Sequence, residues 1–328
     1  MDLSLASSRF SRQFGLSTPI ALAPMALAGG GALAAACSRA GALGLVGGGY
    51  GELPWVQREY QLALDTGEPA RTGCGFITWK LQEDASALDW VLERRPRALM
   101  LSFGDPRPFG PRILAAGAAL VCQVQRLEQV PQALEAGAQV LVAQSGEAGG
   151  HGMNSLNARA TISFVPELAD WLAAHAPQTL LLAAGGVADG RTLAAVRLLG
   201  ADGALVGTRL WATRESLVAA GAKQQALESS GDDTARSSVF DILRRKNWPA
   251  PYDFRAIRNA LHRAWEERIE ALRADPEPAR ADYEAGVKAG DFQRAHATVG
   301  EAIGLVHDLP PAAEVVARMH REAETLLA

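Results

Sequence analysis

Eight short apolar runs, most followed by an amphipathic or alanine-rich stretch of helical character, constrain this chain more than any other feature. The runs are residues 20–25, 43–47, 73–78, 98–103, 119–124, 139–143, 180–184 and 204–206. Helices between them are expected to start near Gly31, Leu53, Asp84, Pro108, Leu127, Val165 and Gly190. The runs are continuously apolar rather than alternating, as parallel strands covered on both faces are. Crossovers of helical length favour a parallel sheet. Eight βα units within residues 1–215 match the count of an α/β, (β/α)8 TIM barrel. A doubly wound open sheet is the rival, and strand count favours the barrel. Gly117, Gly137 and Gly200 each sit after a helix and before a strand, the place of a left-handed C-cap.

After Thr208 the rhythm changes. Residues 217–229 and 236–245 look helical, and Asn247-Trp248-Pro249-Ala250-Pro251 is a turn. Residues 252–274 read as a long charged helix with Phe254, Ile257, Leu261, Trp265 and Ile269 near helical spacing. Residues 300–306 and 312–327 are two more apolar-striped stretches. The expected division is a barrel over 1–215 and a helical region over 216–328, which is packed on the barrel, closing it, or forms a small second lobe.

A chain of 328 residues, 48% hydrophobic, can bury a large core. Its net charge of −4 carries no basic excess, which argues against a nucleic-acid partner. Cys37, Cys74 and Cys122 are far apart in apolar contexts and read as reduced core residues. Residues 1–15 lack the apolar segment of a signal peptide, and residues 19–36 are too broken by Pro24 and glycines to span a membrane. A cytoplasmic protein with no membrane association is expected.

In a barrel, the loops after the strands build the active site. Strand one ends at Ala23-Pro24-Met25-Ala26, strand three at Gly75-Phe76-Ile77-Thr78-Trp79 and strand five at Gln123-Val124-Gln125. Strand six runs into Gln144-Ser145-Gly146-Glu147-Ala148-Gly149-Gly150-His151-Gly152. Strand seven ends at Gly185-Gly186 and strand eight at Gly207-Thr208-Arg209. Paired glycines after strand seven, with Gly-Thr before a helix after strand eight, suit a phosphate held by backbone N–H groups. Only Asp105, Glu147 and Asp189 put a carboxylate at a strand end, which gives paired-carboxylate hydrolysis poor support. No His/Cys/Asp cluster has metal spacing, so no metal is expected, and no Gly-Lys-Ser/Thr loop is present. Gly47-Gly48-Gly49-Tyr50-Gly51 lacks the dinucleotide spacing and reads as a loop. His151 is the one histidine at a strand-end loop, suited to act as acid, base or charge stabiliser near neutral pH. His175, His262, His296, His307 and His320 read as surface or packing residues. An apolar and amide-lined mouth with one histidine and a phosphate cradle suits an organic cofactor that carries the chemistry.

These segments resemble the nitronate monooxygenase family, also called 2-nitropropane dioxygenases. The likeness rests on Pro19–Met25, on Ala143-Gln144 with Glu147–His151, on Ala184–Gly190, on Gly207-Thr208-Arg209 and on Gly300–Leu305. It implies an FMN-dependent TIM-barrel oxidoreductase that uses O2 to convert alkyl nitronates, or nitroalkanes, to a carbonyl compound and nitrite. It implies that Ala23, Pro24 and Met25 lie beside the flavin ring, that Gln144, Gly149 and Gly150 bind the flavin, and that Gly185, Gly186, Gly207 and Thr208 hold its phosphate. His151 would be the catalytic residue. Gln123 stands where some relatives carry a flavin-facing lysine, and Gly75–Thr78 stands where many carry asparagine. An NAD(P)H:quinone or enoyl reductase on the same FMN barrel is the alternative, with NAD(P)H as donor. A non-enzymatic flavin-binding protein is a further one.

Overall fold

The structure is a computed structural model and describes residues 4–328. Of the N-terminal stretch read above, residues 1–3 therefore lie outside the described residues.

Eight parallel strands form the barrel: β1 (Ile20–Leu22), β2 (Gly44–Gly49), β3 (Thr72–Ile77), β4 (Ala98–Ser102), β5 (Ala119–Val124), β6 (Val140–Gln144), β8 (Leu180–Ala184) and β9 (Gly203–Val206). Each of the eight apolar runs becomes one strand. The ladder runs β1-β9-β8-β6-β5-β4-β3-β2, and a parallel bridge between Ala21 and Leu43 joins its two ends. An open doubly wound sheet is thereby excluded, because such a sheet keeps two free edges.

Strand residues sort into two apolar layers by alternation. Leu45, Met100, Val121, Val142 and Leu182 fill the barrel interior, while Val46, Leu99, Leu101, Leu120, Leu141 and Leu181 pack outward. The short helix Arg9–Phe14 contributes Phe10 and Phe14 to the inner layer. Arg9 fastens it by donating to the Asp202 carboxylate and to the Pro177 and Thr179 carbonyls, which precede β9 and β8. That closes the end of the barrel opposite the strand C-termini. Gly117, Gly137 and Gly200 take φ of +79°, +88° and +101°, so they are left-handed caps. The glycine run after Val46 departs from expectation: it continues β2 as far as Gly49, and at Gly47 a Cβ would lie 2.2 Å from the Met25 carbonyl. The glycines let the end of β1 approach β2.

The segment after β9 is not wholly helical. Residues 234–237 form β10 (Thr234–Ser237), not the start of a helix, and the helix there is only Val239–Leu243. Residues 252–257 form β11 (Tyr252–Ile257), followed by two short helices, Ala260–Trp265 and Ile269–Ala274, in place of one long helix. The reason is a partner far away in sequence. β11 pairs antiparallel with β10 and with β7 (Gly150–Met153), which grows out of the glycine loop after β6. The last helix, Ala312–Leu327, packs against Gly190–Leu198 and Gly31–Arg39 and buries Val315, Val316 and Met319 in the main core. It occupies the place of the eighth barrel helix. No helix among the described residues is long and apolar enough to cross a membrane.

Candidate active site

A cavity of about 670 Å³ opens at the C-terminal ends of the barrel strands. Ala23, Pro24, Met25, Gln123, Gln144, Gly149, Gly150, His151, Gly185, Gly186, Gly207 and Thr208, the site residues expected from sequence, all line it. Residues up to 185 positions apart in the chain, from Ala23 to Thr208, are thus brought to one mouth. Close packing explains several of the glycines. A Cβ on Gly149 would sit 2.5–2.6 Å from the backbone of Val299 and Gly300, so the loop after β6 and the late glycine segment press backbone to backbone. Gly185, at φ +102°, has Ser145 against the position a Cβ would take. The Thr208 hydroxyl accepts the Gly300 N–H at 2.8 Å, which ties the end of β9 to the same segment.

The three strand-end carboxylates have structural work. Asp189 caps the helix Gly190–Leu198 in a capping box with Thr192. Glu147 accepts the Thr161 N–H at the start of the helix Thr161–His175, and Asp105 pairs with Arg107. Arg209 is buried and pairs with Asp308.

Gln144 joins cavity wall to catalytic candidate. Its Oε1 accepts from Gln123 Nε2 at 3.1 Å and Gln125 Nε2 at 2.7 Å, and its own Nε2 donates to the His151 carbonyl at 3.0 Å. A chain of amides therefore locks the register of β7 against β5 and β6. Cations reach the cavity from elsewhere: Arg244, Arg245 and Lys246 line it from the segment after the helix Val239–Leu243.

His151 Nε2 lies 2.9 and 3.0 Å from the two oxygens of Asp241. Both side chains are nearly buried, at 9% and 6% exposure. The imidazole stacks on Trp248 at 3.5 Å between centroids and 12° between planes, with Phe254 tilted against it at 4.7 Å. Trp248 is held by an Nε1–H bond to the Tyr50 hydroxyl at 3.0 Å and by edge contacts to Phe103 and Trp79. Behind the glycine loop, Arg236 is 2% exposed. It donates to the carbonyls of Gly146, Ala148 and Gly150 and to Asp253. A trans peptide points its N–H opposite to its C=O, so holding the Ala148 carbonyl on Arg236 turns the Gly149 N–H away from the guanidinium.

Asp241, Arg236, Arg244, Trp248 and His296 were not singled out as site residues from sequence. Arg236 fell inside the expected helix 236–245 but lies on β10, whereas Asp241 does lie on a helix, and nothing local marks it as a partner for His151, 90 residues away. His296, read as surface or packing, lines the cavity and bonds the Tyr283 hydroxyl at 2.7 Å.

Burial lowers the proton affinity of three histidines. Desolvation dominates at His151, partly offset by Asp241, and it also dominates at His262. His296 is pushed down to about 3 by burial, then by Arg244 and His151. These groups stay neutral in the fold below the ordinary histidine value of 6.5, whereas the unfolded chain takes up protons there. Stability is then fully present above pH 6.5 and is lost as pH falls. His296 alone contributes about 1.4 kcal/mol per pH unit below that point. The melting temperature should fall between pH 6.5 and 5, where ordinary carboxylates are still ionised, and His296→Gln should flatten that dependence. Melts across this range check it.

The nitronate monooxygenase family model matches residues 66–322. Nitronate monooxygenase npaC of Metarhizium robertsii is 31% identical over 93% of this chain and 90% of its own. Among solved structures, nitroalkane oxidase from Streptomyces ansochromogenes superposes with TM-score 0.79 at 25% identity, over 97% of this chain and 100% of that one. FabK from Thermotoga maritima superposes with TM-score 0.82 at 24% identity, over 98% and 97%, and speaks for the fold alone. Fold and site together define a TIM-barrel oxidoreductase. The chain belongs to the nitronate monooxygenase family.

Proposed function

We propose that the protein binds FMN in the barrel mouth and oxidises alkyl nitronates, and nitroalkanes deprotonated in the site, to a carbonyl compound and nitrite with O2. The observation that carries this reading is the placing of His151, at the edge of a glycine-lined cavity, among every residue the family resemblance assigns to the flavin. The residues present fit that cofactor. The cavity has the size of small-molecule sites. Ala23, Pro24 and Met25 offer an apolar wall for a ring system, Gln123 and Gln144 offer amides to its polar edge, and the Gly185-Gly186 and Gly207-Thr208 backbone is bare enough for a phosphate.

Bound FMN would supply the redox chemistry by taking up electrons from the substrate and delivering them to O2. The protein's part is to bind, orient and move a proton. The Trp248, Phe103 and Phe254 rings shield the cavity near His151 from water, and the three cations on residues 244–246 favour an anionic substrate over a neutral one. The expected assay result is consumption of O2 with nitrite released when ethylnitronate is added to the yellow protein. Nitrite formation without a flavin chromophore, or a flavoprotein that releases no nitrite, would sink the reading.

A further inference from the structure

We infer that Asp241 is a positioning residue which fixes the imidazole of His151 as its Nε2–H tautomer, so that Nδ1 is the atom that takes the substrate's α-proton. The inference rests on the nitronate-oxidising function proposed above and names the proton-transfer machinery of that site.

Three observations meet here. Asp241 oxygens straddle Nε2 at 2.9 and 3.0 Å, a geometry that only an Nε2–H donor satisfies against a carboxylate. The other ring nitrogen, Nδ1, has no hydrogen-bond partner among the described residues, yet it is not among the buried polar atoms cut off without one, and the ring lines the cavity. Stacking on Trp248 at 12° opposes the 180° flip about Cβ–Cγ that would carry Nε2 away from Asp241. Asp241 itself is held in place, because it sits on the short helix Val239–Leu243, whose Val239, Phe240 and Leu243 are buried in a hydrophobic cluster with Phe254 and Leu272.

The step balances simply. The α C–H bond of a neutral nitroalkane breaks. The proton goes to Nδ1, and the electron pair passes into the nitro group, which gives the nitronate. The resulting imidazolium keeps its Nε2–H on Asp241, whose negative charge stabilises it. Arg244 and Arg236 face the same ring and oppose that positive charge, as His296 would if protonated. Among the described residues, Asp241 is the one carboxylate paired with it. A nitronate supplied ready-made has already lost this proton and does not need the step.

The test has two arms. Two-bond ¹H–¹⁵N correlation spectra of the ¹⁵N-histidine-labelled holoprotein read the tautomer without turnover. Wild type is expected to show His151 with a protonated Nε2 and an unprotonated Nδ1. In Asp241→Asn, whose amide can donate to Nε2, the pattern should reverse. In the second arm, Asp241→Asn should lower kcat/KM for neutral nitroethane by about 10²–10⁴-fold, and lower it for ethylnitronate by less than about tenfold, with Asp241→Glu recovering part of the loss. A wild-type Nδ1–H tautomer, or equal losses on both substrates, would overturn the assignment. If neither substrate is turned over by wild type, the proposed function fails, while the tautomer measurement still decides the role of Asp241.

Discussion

His151→Ala is expected to lose about 10²–10⁴-fold in kcat/KM with neutral nitroalkanes, the contribution typical of one well-placed general base. The loss with preformed nitronates should be smaller, since they carry no α-proton to remove. The imidazole is the one titratable ring in the cavity that is both paired with a carboxylate and stacked in place. His296, the other histidine there, is bonded to Tyr283 and is held neutral far below the working range. Alanine would also leave Asp241 buried without its donor, which destabilises independently of catalysis. His151→Gln separates the two effects, because its amide can still donate to Asp241 but cannot act as a base. Steady-state kinetics on nitroethane and ethylnitronate, with flavin content and melting temperature measured alongside, check the expectation. Full activity of His151→Gln on nitroethane would remove His151 from the chemistry.

Arg236→Met is expected to be the most damaging single change for stability. The guanidinium is nearly inaccessible and serves five acceptors, the carbonyls of Gly146, Ala148, Gly150 and Asp253 and the Asp253 side chain. Methionine fills similar volume but leaves all five without that donor and strands the Asp253 carboxylate. Burial already raises the proton affinity of Asp253, and Arg236 works against that rise. Breaking a buried ion pair from one side costs about 3–5 kcal/mol, which corresponds to a drop on the order of 10 °C in melting temperature. The neighbouring Arg255 also donates to Gly146 but is committed to Glu301 and Thr234. It cannot cover Ala148 and Gly150 as well. Because the lost bonds belong to the loop that carries Gly149 and Gly150, bound flavin should dissociate more readily. Thermal melts and flavin retention on gel filtration read both effects. A variant as stable as wild type, with full flavin content, would show that the loop holds itself.

The barrel was legible because its strands are buried on both faces, so each is a continuous apolar run that stands out from the polar helices flanking it. The site residues on the strand ends were legible for the same reason: once Val140–Gln144 is a strand, the glycines after it must lie at the mouth. The small antiparallel sheet was not. In residues 252–257, Phe254 and Ile257 match helical spacing as well as they match a strand edge, and the segment becomes a strand through β7 and β10, about 100 residues before it and just upstream. No local propensity encodes that pairing. Arg236 lies on the same sheet, in β10, and is hidden with it, while Asp241 lies on a helix as expected, and only the folding of the chain brings it to His151, 90 residues away. Trp248 was assigned correctly to a turn, but its stacking on His151 depends on where that turn lands, which is a tertiary fact.

Anaerobic mixing of the purified protein with ethylnitronate, and separately with NADH, followed by flavin absorbance, decides which of the two donates electrons at this site. Rapid bleaching by the nitronate, with little change from NADH, is the result expected of a nitronate-oxidising flavoprotein with this site. Bleaching by NADH alone would instead make the same barrel a nicotinamide-driven reductase and rule out nitronate oxidation as its chemistry.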